Sequence, residues 1–224
     1  MLFRLLALSA RTLEALVAAG LAAPGADPGV RAGFLLSNDL AVLLLREQLT
    51  EAPGTDPTLL KILVGTMRAD RGVVRLGGRL GYCPQEPVVI ESLTVGQHLR
   101  YFAAAYRRPS LQRAEALADL LGFAEFRDVT AGALSGGTRQ KLNLTLALLH
   151  DPDVLLLDEP YQGFDWETYL RFWDVVGDLR TRGKAVVIIT HLVFEQDRFD
   201  VLADLAGGRL ASRQPAEGES RVIG

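Results

Sequence analysis

The sequence predicts an α/β fold, a mostly parallel sheet flanked by helices with an antiparallel β portion. Three observations carry that prediction. Two apolar runs, Val154-Leu155-Leu156-Leu157 and Ala185-Val186-Val187-Ile188-Ile189, read as strands buried on both faces. Each run ends abruptly in polar chemistry, Asp158-Glu159-Pro160 after the first and Thr190-His191 after the second. Around them, segments with helical apolar spacing alternate with strand-like segments, the pattern of strands joined by crossover helices. Open α/β sheets bind ligands beyond the carboxyl ends of their strands, so both runs point toward a candidate site.

The elements follow in order. Residues 9–23 are rich in Ala and Leu and read as a helix, with Ser9 or Thr12 as its cap. Residues 24–30, rich in Pro and Gly, are a loop. Residues 31–46 read as a hairpin turning at Ser37-Asn38-Asp39. A helix is expected from Pro57 to about Met67, with Asp56 as its cap. Gly72–Gly78 is a strand and turn, and Leu80-Gly81-Tyr82-Cys83 a strand leading into Pro84-Gln85. Residues 93–106, 110–122 and 138–149 carry helical spacing. Trp166 to Arg182 is a further helix that Gly183 ends. Val201 to Leu210 reads as a last strand and turn, and 212–224 as a loose polar tail.

Composition narrows the function. The chain has 224 residues, 49% of them hydrophobic, enough for a sizeable core. A net charge of -3 gives no bulk attraction for nucleic acid, and no nucleic-acid partner is expected. One cysteine, Cys83, excludes an internal disulfide framework and fits a reducing compartment. No apolar run reaches the roughly 20 residues that cross a bilayer. Arg11 and Glu14 follow the apolar start too closely for a cleaved signal.

Leu134-Ser135-Gly136-Gly137 adds a third signal, ahead of the helix predicted at 138–149. Such a turn can offer a hydroxyl and backbone N–H groups to a phosphate at a helix N-terminus. In this order, the serine-glycine turn, the Asp158-Glu159 strand end and the Thr190-His191 strand end resemble the ATP-binding cassette (ABC) ATPase family. The resemblance covers about residues 58–210. It implies a P-loop NTPase-like cassette of one domain over 1–224, with a helical signature subdomain over about 88–149.

The resemblance also implies roles. Asp158 would hold Mg²⁺, and Glu159 would be the general base that orients the attacking water. An apolar strand is expected to project such carboxylates at its end without burying them. His191 would contact the γ-phosphate; Gln85 would reach the metal or the attacking water through its amide. Ser135, Gly136 and Gly137 would bind ATP held by the other subunit of a head-to-tail dimer. Gly163-Phe164-Asp165 stands at the D-loop, which crosses that interface, and Asp165 joins the nucleotide-binding set. The implied cofactors are ATP and Mg²⁺. The implied partners are a transmembrane permease subunit and a second cassette, with the chain cytoplasmic and peripheral on the inner face of the cell membrane. His98 and His150 read as structural, and Cys83 as a buried small residue.

One family part is missing. The phosphate loop, G-x-x-x-x-G-K followed by Ser or Thr, should precede Thr58-Leu59-Leu60-Lys61. Thr50-Glu51-Ala52-Pro53-Gly54-Thr55-Asp56-Pro57 stands there instead. Asp56 takes the lysine position; one like charge at about 4 Å costs about 4 kcal/mol even at an effective dielectric of about 20. Pro57 has neither hydroxyl nor N–H, and the lost glycines deny the backbone an anion nest. Nor is an adenine-stacking aromatic evident, since Thr12 stands at its position.

Two accounts of the gap stand. In one, a degenerate subunit lends its serine-glycine loop to a competent partner, which favours a heterodimer. In the other, residues 1–57 were altered, for instance by a shift of reading frame. The expected function is the ATPase subunit of an ABC exporter. Its alternative is a catalytically dead scaffold or a non-transport regulatory relative.

Overall fold

The computed structural model describes residues 4–5, 32–36, 42–48, 58–67, 72–76, 78–108, 110–190, 195, 198–206 and 209–213. The helix predicted at 9–23, the loop at 24–30, the segment 50–57, His191 and residues 214–224 lie outside them. The strands are β1 (Arg4–Leu5), β2 (Ala32–Leu36), β3 (Val42–Gln48), β4 (Gly72–Leu76), β5 (Leu80–Cys83), β6 (Val154–Asp158), β7 (Ala185–Ile189), β8 (Val201–Ala206) and β9 (Arg209–Arg213). The helices are α1 (Thr58–Val64), α2 (Val95–Ala105), α3 (Gln112–Leu120), α4 (Gly136–Leu148) and α5 (Trp166–Thr181).

Seven strands form the main sheet in the order β5-β6-β7-β3-β1-β8-β9, with β3 also pairing β8. β5, β6, β7, β3 and β8 run parallel. β1 and β9 add the antiparallel portion. The last strand and turn expected at 201–210 is therefore a hairpin, and β9 draws residues 212–213 out of the predicted tail. The predicted hairpin at 31–46 does not form. β2 pairs in parallel with β4 in a separate two-stranded sheet, while β3 enters the main sheet beside β7. Val42-Leu43-Leu44-Leu45 is a continuous apolar run, the type that suits a strand inside a parallel sheet, and not the alternating type of a hairpin with one wet face.

β6 and β7 are buried throughout, as their apolar runs require. Their amino ends are stapled by charge. The Asp153 carboxylate, just before β6, accepts from the Arg79 N–H before β5 at 2.9 Å and from Lys184 Nζ before β7 at 2.8 Å. These bonds hold Asp153 well below the usual carboxylate range. Asp151 lies 2.5 Å from Arg182 and 3.3 Å from Arg113. With the amino ends aligned, the carboxyl ends of the three strands share one edge.

Every described regular element between β5 and β6 is helical. Thr94 and Gln97 start α2 with a reciprocal capping box, at 3.2 and 2.7 Å. α1 ends at Val64, and the predicted extension to Met67 is a turn. After α5 the chain reverses at Gly183, whose φ of 70° suits glycine. The core joins α4 and α5 to the sheet, with Phe123, Leu142 and Phe172 fully buried.

Candidate functional site

β6 and β7 are adjacent and in register, with Asp158 opposite Ile189. Glu159 follows in the left-handed region, φ 46°, and its N–H donates to the Ile189 carbonyl at 2.8 Å. A non-glycine residue held there is strained backbone, and such positions cluster at functional sites. The Thr190 hydroxyl donates to Glu159 Oε2 at 2.8 Å. Tyr161 hydrogen-bonds the same hydroxyl, and burial pushes its phenol well above the ordinary tyrosine range.

Both carboxylates are buried, Asp158 4% and Glu159 2% exposed, which corrects the expectation that they project into solvent. The cause is the turn itself. The left-handed backbone at Glu159 folds its side chain back under Thr190 instead of continuing the strand outward.

On the other side of β6, Cys83 stands opposite Leu157, so Gln85 emerges at the same edge and is exposed. Cys83 is fully buried, as expected. Burial, and then the charge of Asp158, push its thiol far above the usual range. β3 is parallel to β7, so Gln48 ends the strand that leads into the segment 50–57, and Thr58 begins the helix that follows it. That segment and His191 lie outside the described residues. Thr190, just before His191, is bonded to Glu159.

The serine-glycine turn is well formed. Ser135 is the exposed cap of α4, and its Oγ accepts from the Thr138 N–H at 3.1 Å. The Thr138 hydroxyl lies 2.9 Å from the same oxygen. Gly137 packs against the D-loop, where an added Cβ would stand 2.4 Å from the Gly163 carbonyl oxygen. The two segments fit only because Gly137 has no side chain. Asp165 is exposed and caps α5. It accepts from the Thr168 N–H at 2.8 Å, and that bond holds its carboxyl below the usual range.

His98 and His150 are structural, as expected. His98 is fully buried and accepts from the Ile90 N–H at 2.9 Å through Nε2, so its Nδ1 donates to the Thr94 carbonyl. His150 stacks on Tyr106 at 4.2 Å, and burial lowers its pKa. Sequence reasoning missed the hydrogen bond of Thr190 to Glu159 and that of Tyr161 to Thr190, and the burial of two amides on α4, Gln140 and Asn143. The signal for the amides was their i, i+3 spacing among leucines.

The sequence and the fold both match known proteins. The family model described as ABC transporter matches residues 57–162. "Nod factor export ATP-binding protein I" of Burkholderia orbicola is 37% identical over 169 residues, covering 68% of this chain and 55% of its own. "ABC transporter G family member 20" of Dictyostelium discoideum is 29% identical, over 68% of this chain and 23% of its own. The chain thus spans about half the length of the Nod factor export relatives it matches. Among solved structures, an ATP-binding subunit of an ABC transporter shares the fold with a TM-score of 0.73 and 20% identity, covering 96% of this chain and 90% of its own. A bacterial ABC transporter cassette solved as a dimer gives 0.53 at 21% identity, over 60% of this chain and 62% of its own.

Proposed function

The chain belongs to the ABC transporter ATP-binding family, and on that premise we propose that it is an exporter's ATP-binding subunit that works through its serine-glycine loop more than through its own phosphate loop. The residues fit ATP unequally. Asp56 and Pro57 supply neither cation nor hydroxyl, so no step is assigned to a nucleotide at 50–57. Ser135, by contrast, is exposed and pre-ordered. Its Oγ accepts from the Thr138 N–H, and the Thr138 hydroxyl can donate to it as well. The Ser135 proton is then available to a phosphate oxygen, beside the N-terminal N–H groups of a 13-residue helix.

That ordered, exposed serine-glycine turn carries the proposal. The nucleotide it meets belongs to a second, P-loop-competent cassette in a head-to-tail heterodimer. ATP bound with Mg²⁺ there supplies the γ-phosphate. Within this chain, Asp158 with Gln85 is the metal-side pair, Glu159 the base, His191 its γ-phosphate partner and Asp165 the D-loop acid. These residues serve the chain's own site only where a phosphate loop completes it.

The proposal extends to a membrane subunit. Among the described residues, no helix is long and apolar enough to cross a membrane. Val88 and Ile90, in the loop beyond Gln85, and Tyr101 on α2 are 72%, 47% and 58% exposed, an apolar surface suited to a helix of a permease partner. Among the relatives named above, the Burkholderia protein is named for export.

Sedimentation tests the pairing. With Mg-ATP, the chain alone stays monomeric, and with its partner cassette it forms a one-to-one dimer. ATP-driven homodimers of this chain would contradict the proposal.

A further inference from the structure

Helix α4 buries two amides that the site chemistry does not use. Gln140 and Asn143 are each 4% exposed, among Leu142, Leu144, Leu146 and Leu148. A buried amide is costly unless bonded, and leucine would fill either position without that cost. Both amides are bonded, and their acceptors are backbone carbonyls of the two turns at the carboxyl edge. Asn143 Nδ2 donates to the Pro84 carbonyl at 2.8 Å, one residue before Gln85. It also lies 3.2 Å from Gln140 Oε1 and 3.3 Å from Cys83 Sγ. Because Gln140 Oε1 accepts there, its Nε2, which also lies 3.9 Å from Cys83 Sγ, is the donor that reaches the Glu159 carbonyl at 3.5 Å. The left-handed backbone at Glu159 accompanies that contact.

We infer that Gln140 and Asn143 are positioning residues, a two-amide clamp that makes the serine-glycine helix, the Gln85 loop and the Glu159 turn move as one body. A phosphate that presses on Ser135 at the head of α4 is then felt at residues 85–90, where Val88 and Ile90 are exposed. This second half of the inference rests on the composite-site reading; the clamp itself does not.

Hydrogen exchange on the full chain tests the clamp. Asn143→Leu keeps the volume and removes the donor. Peptides covering 85–91 should exchange about fivefold faster, the opening expected on losing one net hydrogen bond. The Ile90 N–H, bonded to His98 at 2.9 Å, is a reporter amide inside that segment. Peptides of α5 should be unchanged. Unchanged exchange at 85–91 in a variant that still unfolds cooperatively overturns the clamp. Should the leucine variant fail to fold, Asn143→Ala, smaller and also without the donor, takes its place under the same criteria.

Turnover of the paired cassettes tests the transmission. Asn143→Leu should lower kcat severalfold at unchanged KM, with Ser135→Arg measured beside it. If Ser135→Arg silences the pair and Asn143→Leu leaves kcat intact, the inference is overturned. If Ser135→Arg has no effect, the composite-site reading fails, and the exchange result alone decides the clamp.

Discussion

Thr190→Val exchanges the hydroxyl that reaches Glu159 for a methyl of nearly the same size. Thr190 is fully buried and Glu159 2% exposed, so water cannot replace the lost donor. The bond is 2.8 Å long, and Tyr161 loses its Thr190 partner at the same time. Leaving a buried acceptor without its donor costs about 1–3 kcal/mol, which sets the expected loss near 2 kcal/mol. With a urea slope of about 2 kcal/mol per molar, the unfolding midpoint should fall by about 1 M. Urea titration followed by the fluorescence of Trp166 and Trp173 measures it. Thr190→Ser keeps the hydroxyl and loses one methyl, so its midpoint should lie well above that of the valine variant. Equal midpoints for wild type and Thr190→Val would refute the reasoning, because the buried carboxylate would then have lost nothing.

Two adjacent glycines should respond with opposite signs. Gly137→Ala drives a Cβ to 2.4 Å from the Gly163 carbonyl oxygen and should lower the melting temperature by roughly 3 °C or more. Gly136→Ala meets nothing within 4 Å and should stabilise α4 by about 0.5–1 kcal/mol; calorimetric scans separate the two. Asp153 is held below the usual carboxylate range in the folded chain, so its contribution is present above the unfolded value of about 3.9 and is lost as pH falls toward the folded value. Asp153→Asn should flatten the decline in stability between about pH 5 and pH 2, and an unchanged slope would count against the Arg79-Asp153-Lys184 staple. Titration calorimetry should show weak or no Mg-ATP binding to the isolated chain at millimolar ATP; a micromolar dissociation constant would mean that another loop replaces the missing one. Asp56→Lys alone should recover little, whereas rebuilding 50–57 to the full phosphate-loop pattern should restore binding and a slow hydrolysis that Glu159→Gln abolishes.

The parts of the fold read correctly from the sequence are those whose signal is local. β6 and β7 announce themselves because five buried residues end sharply in acids or in Thr190. α2, α4 and α5 carry their own start signals in Thr94, Ser135 and Asp165. The pairing of β3 was not legible. Val42 meets Val186 across a long separation, and the turn residues Ser37-Asn38-Asp39 suggested a hairpin with β2 instead. Long-range strand pairing overrode turn propensity there.

At the candidate site, the order of the motifs singled out Asp158, Glu159, Gln85 and Ser135. They did not show whether the acids face water. That depends on one left-handed residue, Glu159, and on a donor from the neighbouring strand, Thr190, neither of which leaves a mark in local sequence. The Asn143 clamp was hidden for the same reason, since its acceptor, the Pro84 carbonyl, lies 59 residues away.

The central claim is that this chain works by completing another cassette's nucleotide site. The turnover of the paired cassettes carrying Ser135→Arg in this chain tests it most directly. The substitution places a long side chain at an exposed cap, so the chain itself should fold as before, and sedimentation checks that the pair still forms. The account predicts that ATP hydrolysis by the partner falls sharply. An unchanged rate from an intact heterodimer would contradict it.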